Sequence, residues 1–284
     1  MSEKILSARN HDRDAAGMTY VYPVVSRRAG GISIGINLNP NNACNWHCAY
    51  CQVPGLMRGS APAIDLKLLS QELNSMLEDV LHGSFMQERV PEDCRRLCDV
   101  AISGNGEPTS CKNFDEIVGL IVTVMKQFDL SDDVKLRLIT NGSYLHKPNV
   151  QAGLRMMGSL NGEVWVKVDA ATAEGIKRIN GVTASSELLF QQVKAGADLC
   201  PSWIQSCMVG WDGSEPSVNE VKGYLTFIQR LKREAVPIKG VLLYGLARPS
   251  MQVEAEHLSP LSPEWMQSMA GKIEAAGIDV KLSL

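Results

Sequence analysis

Apolar residues along this chain fall into short runs whose spacing switches between two and about 3.6 residues, which predicts repeated strand–helix units. Ile32, Ile34, Ile36 and Leu38 mark a first strand that leads directly into a cysteine-rich loop. Behind Asp65, a suitable helix cap, Leu69, Leu73, Met76, Leu77 and Val80 recur at helical spacing, so a helix is expected over about 66–82. Val100-Ala101-Ile102 predicts a second strand ending in Ser103-Gly104-Asn105-Gly106-Glu107, with a helix to follow near 113–128. Leu136 to Thr140 and Val164 to Asp169 read as the third and fourth strands, and a helix is expected near 184–196. A fifth strand over about 202–210 precedes a helix near 217–234. The sixth, Ile238 to Gly245, precedes a helix near 262–276 and a short last strand, Ile278 to Leu282.

Crossovers of helical length require parallel strands and right-handed winding. An α/β barrel and an open doubly wound sheet both satisfy the pattern, and both place their sites beyond the C-terminal strand ends. Residues 1–30 read as an N-terminal arm or lid, and 31–284 as one domain.

The chain's 284 residues, 45% of them hydrophobic, suffice for a sizeable core. With 28 Lys and Arg against 31 Asp and Glu, no global field draws the chain to nucleic acid. No apolar run is long enough to cross a bilayer, and the N-terminal MSEKILSARNHDRD lacks the apolar core of a signal peptide. The expectation is a soluble cytoplasmic protein with no membrane partner. Eight cysteines in a reducing compartment do not make a disulfide framework.

Three of those cysteines crowd into Cys44-Asn45-Trp46-His47-Cys48-Ala49-Tyr50-Cys51. Thiolates on one short loop can ligate three corners of a cubane cluster, leaving the fourth iron open to a ligand from outside the chain. The alternative is zinc held by the three cysteines and His47, although the paired C-x2-C spacing of zinc modules is missing. Gly104 and Gly106 allow a tight turn that exposes backbone, and Glu107 offers a carboxylate to a cation. On the fourth strand Trp165, Lys167 and Asp169 share one face, where a doubly covered parallel strand should be apolar. An internal pair between Lys167 and Glu107 would be the plain explanation.

The CNWHCAYC loop resembles the cluster motif of the radical S-adenosylmethionine superfamily, and the resemblance extends from about residue 30 to the C-terminus. It implies a partial TIM-type (β/α)6 barrel with parallel strands and the site at their C-terminal ends. It also implies a 4Fe-4S cluster on Cys44, Cys48 and Cys51, with S-adenosyl-L-methionine chelating the open iron. Reductive cleavage would give a 5′-deoxyadenosyl radical that abstracts hydrogen from a substrate. Such chemistry needs a flavodoxin or ferredoxin as reductant and is oxygen-sensitive.

By the same resemblance, Tyr50, Gly104, Asn105, Gly106 and Glu107 contact the cosubstrate, Glu107 through its methionyl ammonium. Asn141 belongs to the same site, Asp169 would bond the ribose hydroxyls, and Leu246 would contact adenine through its backbone. Lys167 would hold the cosubstrate carboxylate or, as a desolvated amine, act as a catalytic Schiff-base lysine. SGNGEPT, KVDAAT followed by RING, and LYGLARPS are similar to the branch containing the tRNA wyosine-base synthases. No cysteine precedes Cys44, so the second cluster of the archaeal enzymes is not expected. A small-molecule or peptide substrate is the leading expectation. A tRNA substrate comes second, an activase for a glycyl-radical partner third, and a non-catalytic iron–sulfur or zinc protein last.

Overall fold

A computed structural model describes residues 5–7, 16–26, 30–130 and 133–284. The strands, in chain order, are β1 (Val21–Ser26), β2 (Gly31–Ile36), β3 (Ala43–Cys44), β4 (Met57–Arg58), β5 (Leu97–Ile102), β6 (Lys135–Thr140), β7 (Gly162–Lys167), β8 (Ser202–Met208), β9 (Gly210–Trp211), β10 (Ile238–Gly245), β11 (Leu258–Ser259) and β12 (Val280–Ser283). The helices are α1 (Leu66–His82), α2 (Phe85–Arg89), α3 (Phe114–Gln127), α4 (Pro148–Gly158), α5 (Ala173–Asn180), α6 (Ser186–Ala197), α7 (Val218–Arg233) and α8 (Pro263–Ala275).

Eight strands form the main sheet in the order β1-β2-β5-β6-β7-β8-β10-β12. All its neighbours pair in parallel except β1, which runs antiparallel along β2. The order never reverses, so there is no switch point of the doubly wound kind. The winding is that of a barrel, and the sheet curls into a half-barrel of the partial TIM type expected from the sequence.

Alternation along each strand separates two environments. Val100, Ile102, Leu136, Leu138, Val164, Val166, Ile204, Val241 and Leu243 turn outward and are buried. They share one core cluster with Leu73 of α1, Ile117 of α3, Leu154 of α4, Val193 of α6, Phe227 of α7 and Ile273 of α8. The opposite parity, including Asp99, Arg137, Trp165, Lys167, Gln205 and Tyr244, lines a cavity of about 550 Å³ inside the curl. Lys167 is therefore polar because its face is a cavity wall, not a second helix-covered surface.

Helix α4 and strand β1 are among the elements that escape the sequence pattern. Helix α4 begins at Pro148 and contains Gly153, two residues that weaken a helical reading. A Cβ on Gly153 would stand 2.9 Å from ring carbons of Phe114, so the glycine serves the close packing of α4 on α3. Strand β1 contains Pro23, which an edge strand tolerates. The boundary at residue 30 is therefore corrected: Val21–Ser26 belong to the sheet. Buried Glu72 of α1 accepts the backbone N–H groups of Thr19, Tyr20 and Val21 and locks the entry to that strand. Of the expected arm, residues 1–4, 8–15 and 27–29 lie outside the described residues.

At the N-terminal end of the inner face lies a charged floor. Asp99 accepts from Ser33 and from Arg137, whose Nε also reaches Glu163 at 3.4 Å. Glu163 meets Lys239 at 3.1 Å and Lys135 at 3.4 Å. Burial alone would raise the Glu163 pKa, but these cations prevail and hold it below 4.5. The depressed value stabilises the fold above pH 4.5, and that contribution fades as pH falls through the folded-state pKa. Glu163→Gln is expected to lower stability at pH 7 by roughly 1–3 kcal/mol and to flatten the loss of Tm on acidification, as followed by thermal melting.

Candidate active site

The cysteine loop closes the C-terminal rim of the half-barrel. Cys44 lies in β3, whose partner β4 returns beside it. From there the backbone is held by distant elements: His47 N–H donates to the Asn180 carbonyl at 3.0 Å and Ala49 N–H to that of Ile179 at 2.8 Å. The far end of the loop is tied to the tail beyond β10. There Met251 N–H donates to the Cys51 carbonyl at 2.9 Å, and Gln252 Nε2 donates to the carbonyls of Cys51 and Val53. Ser250 Oγ donates to the carbonyls of Ala49 and Cys51.

Cys44, Cys48 and Cys51 all line the cavity, and all three are free thiols. Burial pushes the Cys44 and Cys48 thiols up to about 12. Two N–H groups already aim at sulfur, from the Trp46 backbone to Cys44 and from the Asn180 side chain to Cys48, both at 3.5 Å. Such bonds tune the potential of thiolate-bound clusters.

The zinc alternative needs His47 among the ligands, but its ring faces Glu254 at 3.3 Å. Among the described residues, no three His, Cys, Asp or Glu side chains converge on a point where one metal ion could sit. Three free thiols of one short loop lining the cavity are a donor set that fits a cubane, one thiolate to each of three irons.

The segment after β5 packs beneath the loop. A Cβ on Gly106 would stand 1.9 Å from the Ala43 carbonyl oxygen, and one on Gly104 would stand 2.3 Å from Asn37 Oδ1. Only glycine lets this backbone lie so close to the strand that carries Cys44. Asn105 bonds Asn42 at 2.6 Å, and Asn141 bonds Asn45 at 2.8 Å, so both asparagines brace the loop from below.

Glu107 lines the cavity but is 2% exposed, and its carboxylate is engaged by the chain itself. Its Oε1 accepts from Thr109 N–H at 3.0 Å, from the Thr109 hydroxyl, and from Thr140 Oγ1 at 2.6 Å. Its Oε2 accepts from Asn141 N–H at 2.7 Å. Burial pushes its pKa up against the pull of those donors. Among the described bonds Glu107 has no pairing with Lys167, so the plain ion-pair explanation falls.

Lys167 Nζ donates to Tyr244 Oη at 3.2 Å and lies 4.9 Å from the Tyr50 ring centroid. Burial favours the neutral amine, but the surrounding tyrosine, Asp169 and cysteine groups outweigh it and raise the lysine pKa. A cation at the rim suits a carboxylate.

Asp169 is the main displacement from expectation. Strand β7 ends at Lys167, and two residues later the Asp169 carboxylate lies outside the cavity lining. It accepts from Tyr50 Oη, from Asn180 Nδ2 at 2.7 Å and from Cys207 N–H at 2.8 Å. In the chain itself it holds Tyr50 and Asn180 against the loop. Leu246 lines the cavity, and so do Arg248 and Cys207, whereas Cys111 lies elsewhere, bonded to Asn113. Sequence reasoning missed Tyr244, Asn180, Ser250 and Gln252, whose roles arise from contacts between distant segments. It also missed Gln205, which the parity argument applied to β7 would have found on β8.

No family model matches the chain. A protein of Helicobacter pylori strain J99 named UPF0026 protein is 24% identical over 284 residues, 92% of this chain and 82% of its own. UPF0026 protein slr1464 of Synechocystis is 25% identical over 177 residues, 62% of this chain and 57% of its own. Among solved structures, TYW1 with a lysine–pyruvate adduct bound superposes with a TM-score of 0.56 at 15% identity, covering 96% of this chain and 80% of that one. A radical SAM methyltransferase from Sphaerobacter thermophilus reaches 0.60 at 12% identity, covering 93% and 68%. A cysteine-to-serine mutant of spore photoproduct lyase gives 0.55 at 13% identity, covering 92% and 79%. These neighbours are radical S-adenosylmethionine enzymes, and this chain has their fold, in accord with the resemblance seen in its cysteine loop.

Proposed function

We propose that the protein is a radical S-adenosylmethionine enzyme. The observation that carries this reading is a loop of three free cysteines, Cys44, Cys48 and Cys51, that all line one cavity of about 550 Å³. Cys44, Cys48 and Cys51 would hold a 4Fe-4S cluster, which, supplied with an electron by a flavodoxin or ferredoxin, would cleave S-adenosylmethionine and generate a 5′-deoxyadenosyl radical.

The chain's own contribution is binding, orientation and exclusion of water. The backbone at Gly104, Asn105 and Gly106 would receive the methionyl group, and the Lys167 ammonium would receive its carboxylate. Tyr50, fixed by Asp169, would form the wall beside them, and the backbone around Leu246 would meet adenine. Hydrogen would be taken from a small molecule or peptide group sharing this cavity, whose whole volume of about 550 Å³ falls within the usual range of small-molecule sites.

A second reading, a wyosine-synthase-like enzyme acting on tRNA, draws on the likeness to TYW1, whose solved structure carries a lysine–pyruvate adduct. Lys167 is the lysine that lines this cavity.

Anaerobic reconstitution with iron and sulfide, reduction by dithionite and assay of 5′-deoxyadenosine test both readings. Formation of 5′-deoxyadenosine from S-adenosylmethionine is expected, and stimulation by pyruvate with tRNA would select the second reading. Zinc in the purified protein and no 5′-deoxyadenosine would remove both.

A further inference from the structure

Among the described residues, the side-chain oxygen of Gln205 on the cavity wall meets no donor. Gln205 stands on β8 in register with Lys167 of β7 on one side and Leu242 of β10 on the other. It is 2% exposed and lines the cavity, and among the described residues its Oε1 is a buried acceptor with no hydrogen-bond donor. Nearly all buried carbonyl oxygens are paired, so an orphan on a cavity wall points to a donor brought by a ligand.

The surroundings narrow the chemistry. In the row beneath, Trp165 lines the same cavity, and the Arg137 guanidinium, also on the wall, lies 4.8 Å from its ring centroid. These flat surfaces suit a planar guest. A carboxamide presents an acceptor and a donor side by side in one plane, so its complement is a group offering the reverse pair: an open-chain amide, a lactam or an imide. A carboxylate is the poorer match for Gln205, since it brings no donor to Oε1.

We infer that Gln205 is the specificity-determining residue of a substrate subsite that recognises the planar amide edge of a small molecule, beside Lys167. This rests on reading the cavity as the site of the radical reaction and adds the class of substrate to that reading.

The test is a titration of the full chain with uracil, a ring imide, and N-acetylglycinamide, an open-chain amide, followed by saturation-transfer NMR of each probe. The control is 1,3-dimethyluracil, which keeps the ring and loses both N–H donors. Saturable binding of at least one donor-bearing probe is expected, weakened about tenfold by Gln205→Leu. Binding of uracil alone identifies a ring source, and of N-acetylglycinamide alone a chain source. Equal affinity in wild type and Gln205→Leu, dimethyluracil binding as tightly as uracil, or no binding of either amide would overturn the inference. Should Gln205→Leu fail to fold by thermal melting, the wild type's choice between uracil and its dimethylated form decides. None of these readouts needs iron or S-adenosylmethionine. Gln205-dependent binding without 5′-deoxyadenosine formation would therefore sink the reaction and leave the subsite standing.

Discussion

Cys48→Ala is expected to reduce bound iron and 5′-deoxyadenosine formation to background while leaving the fold in place. Its sulfur makes one hydrogen bond within the described chain, from Asn180 at 3.5 Å, and the loop around it is held by backbone bonds that alanine preserves. The alternative explanation, collapse of the loop, predicts a large drop in Tm; the structural account predicts only a few degrees. Cys94→Ala is the matched control, since Cys94 precedes β5 at the opposite end of the strands from the loop and should leave iron content unchanged. Because burial holds the Cys44 and Cys48 thiols near 12, loading must displace their protons, and it should improve as pH rises from neutrality. A Cys48→Ala protein with wild-type iron and undiminished turnover would refute the assignment of the loop.

Glu107→Ala has the next largest expected effect, and it falls on stability. Four donors on three residues converge on this one carboxylate, joining the loop after β5 to the end of β6. Removing the acceptor strands the buried N–H groups of Thr109 and Asn141, a loss of about 3 kcal/mol or more, readable as a lower urea midpoint. Glu107→Gln should fall between the two, because a carboxamide can satisfy the Oε1 donors but turns an N–H toward that of Asn141. If the carboxylate instead served only an incoming ammonium, both variants would unfold like wild type and lose only affinity for the cosubstrate. That outcome would overturn the structural role described here.

Sequence alone revealed much of this molecule wherever the determining information was local. The three thiols sit within one octapeptide, so their spacing could be read directly, and the β2 and β5 to β8 runs alternate cleanly enough to predict parallel strands. Glycines 104 and 106 were visible, but the reason for them was not: the Asn37 side chain just beyond β2 and the Ala43 carbonyl of β3 exclude a Cβ. Helix α4 was hidden because Pro148 and Gly153 look like breakers until Phe114 is seen against the second of them. Asp169 shows how sensitive a face argument is to where a strand stops. Continued two residues, β7 would have aimed that carboxylate into the cavity; ended at Lys167, it supports Tyr50 and Asn180 from behind. Gln205 and the Asp99–Arg137–Glu163 floor follow the parity that singled out Lys167, but their meaning depends on an inner face left uncovered, which periodicity cannot report.

The tail beyond β10 fastens to the carbonyl of Cys51 across about two hundred residues of sequence, and it carries Leu246 and Arg248 on the cavity wall immediately before that attachment. A guest pressing on this wall therefore also acts on the support of the third thiol. Thermodynamic linkage makes the effect mutual: whatever fills the three sulfurs must steady the tail by as much as an ordered tail favours their filling. Cofactor loading and guest capture then become two handles on a single equilibrium, so the emptied protein should be the looser of the two at residues 246–252.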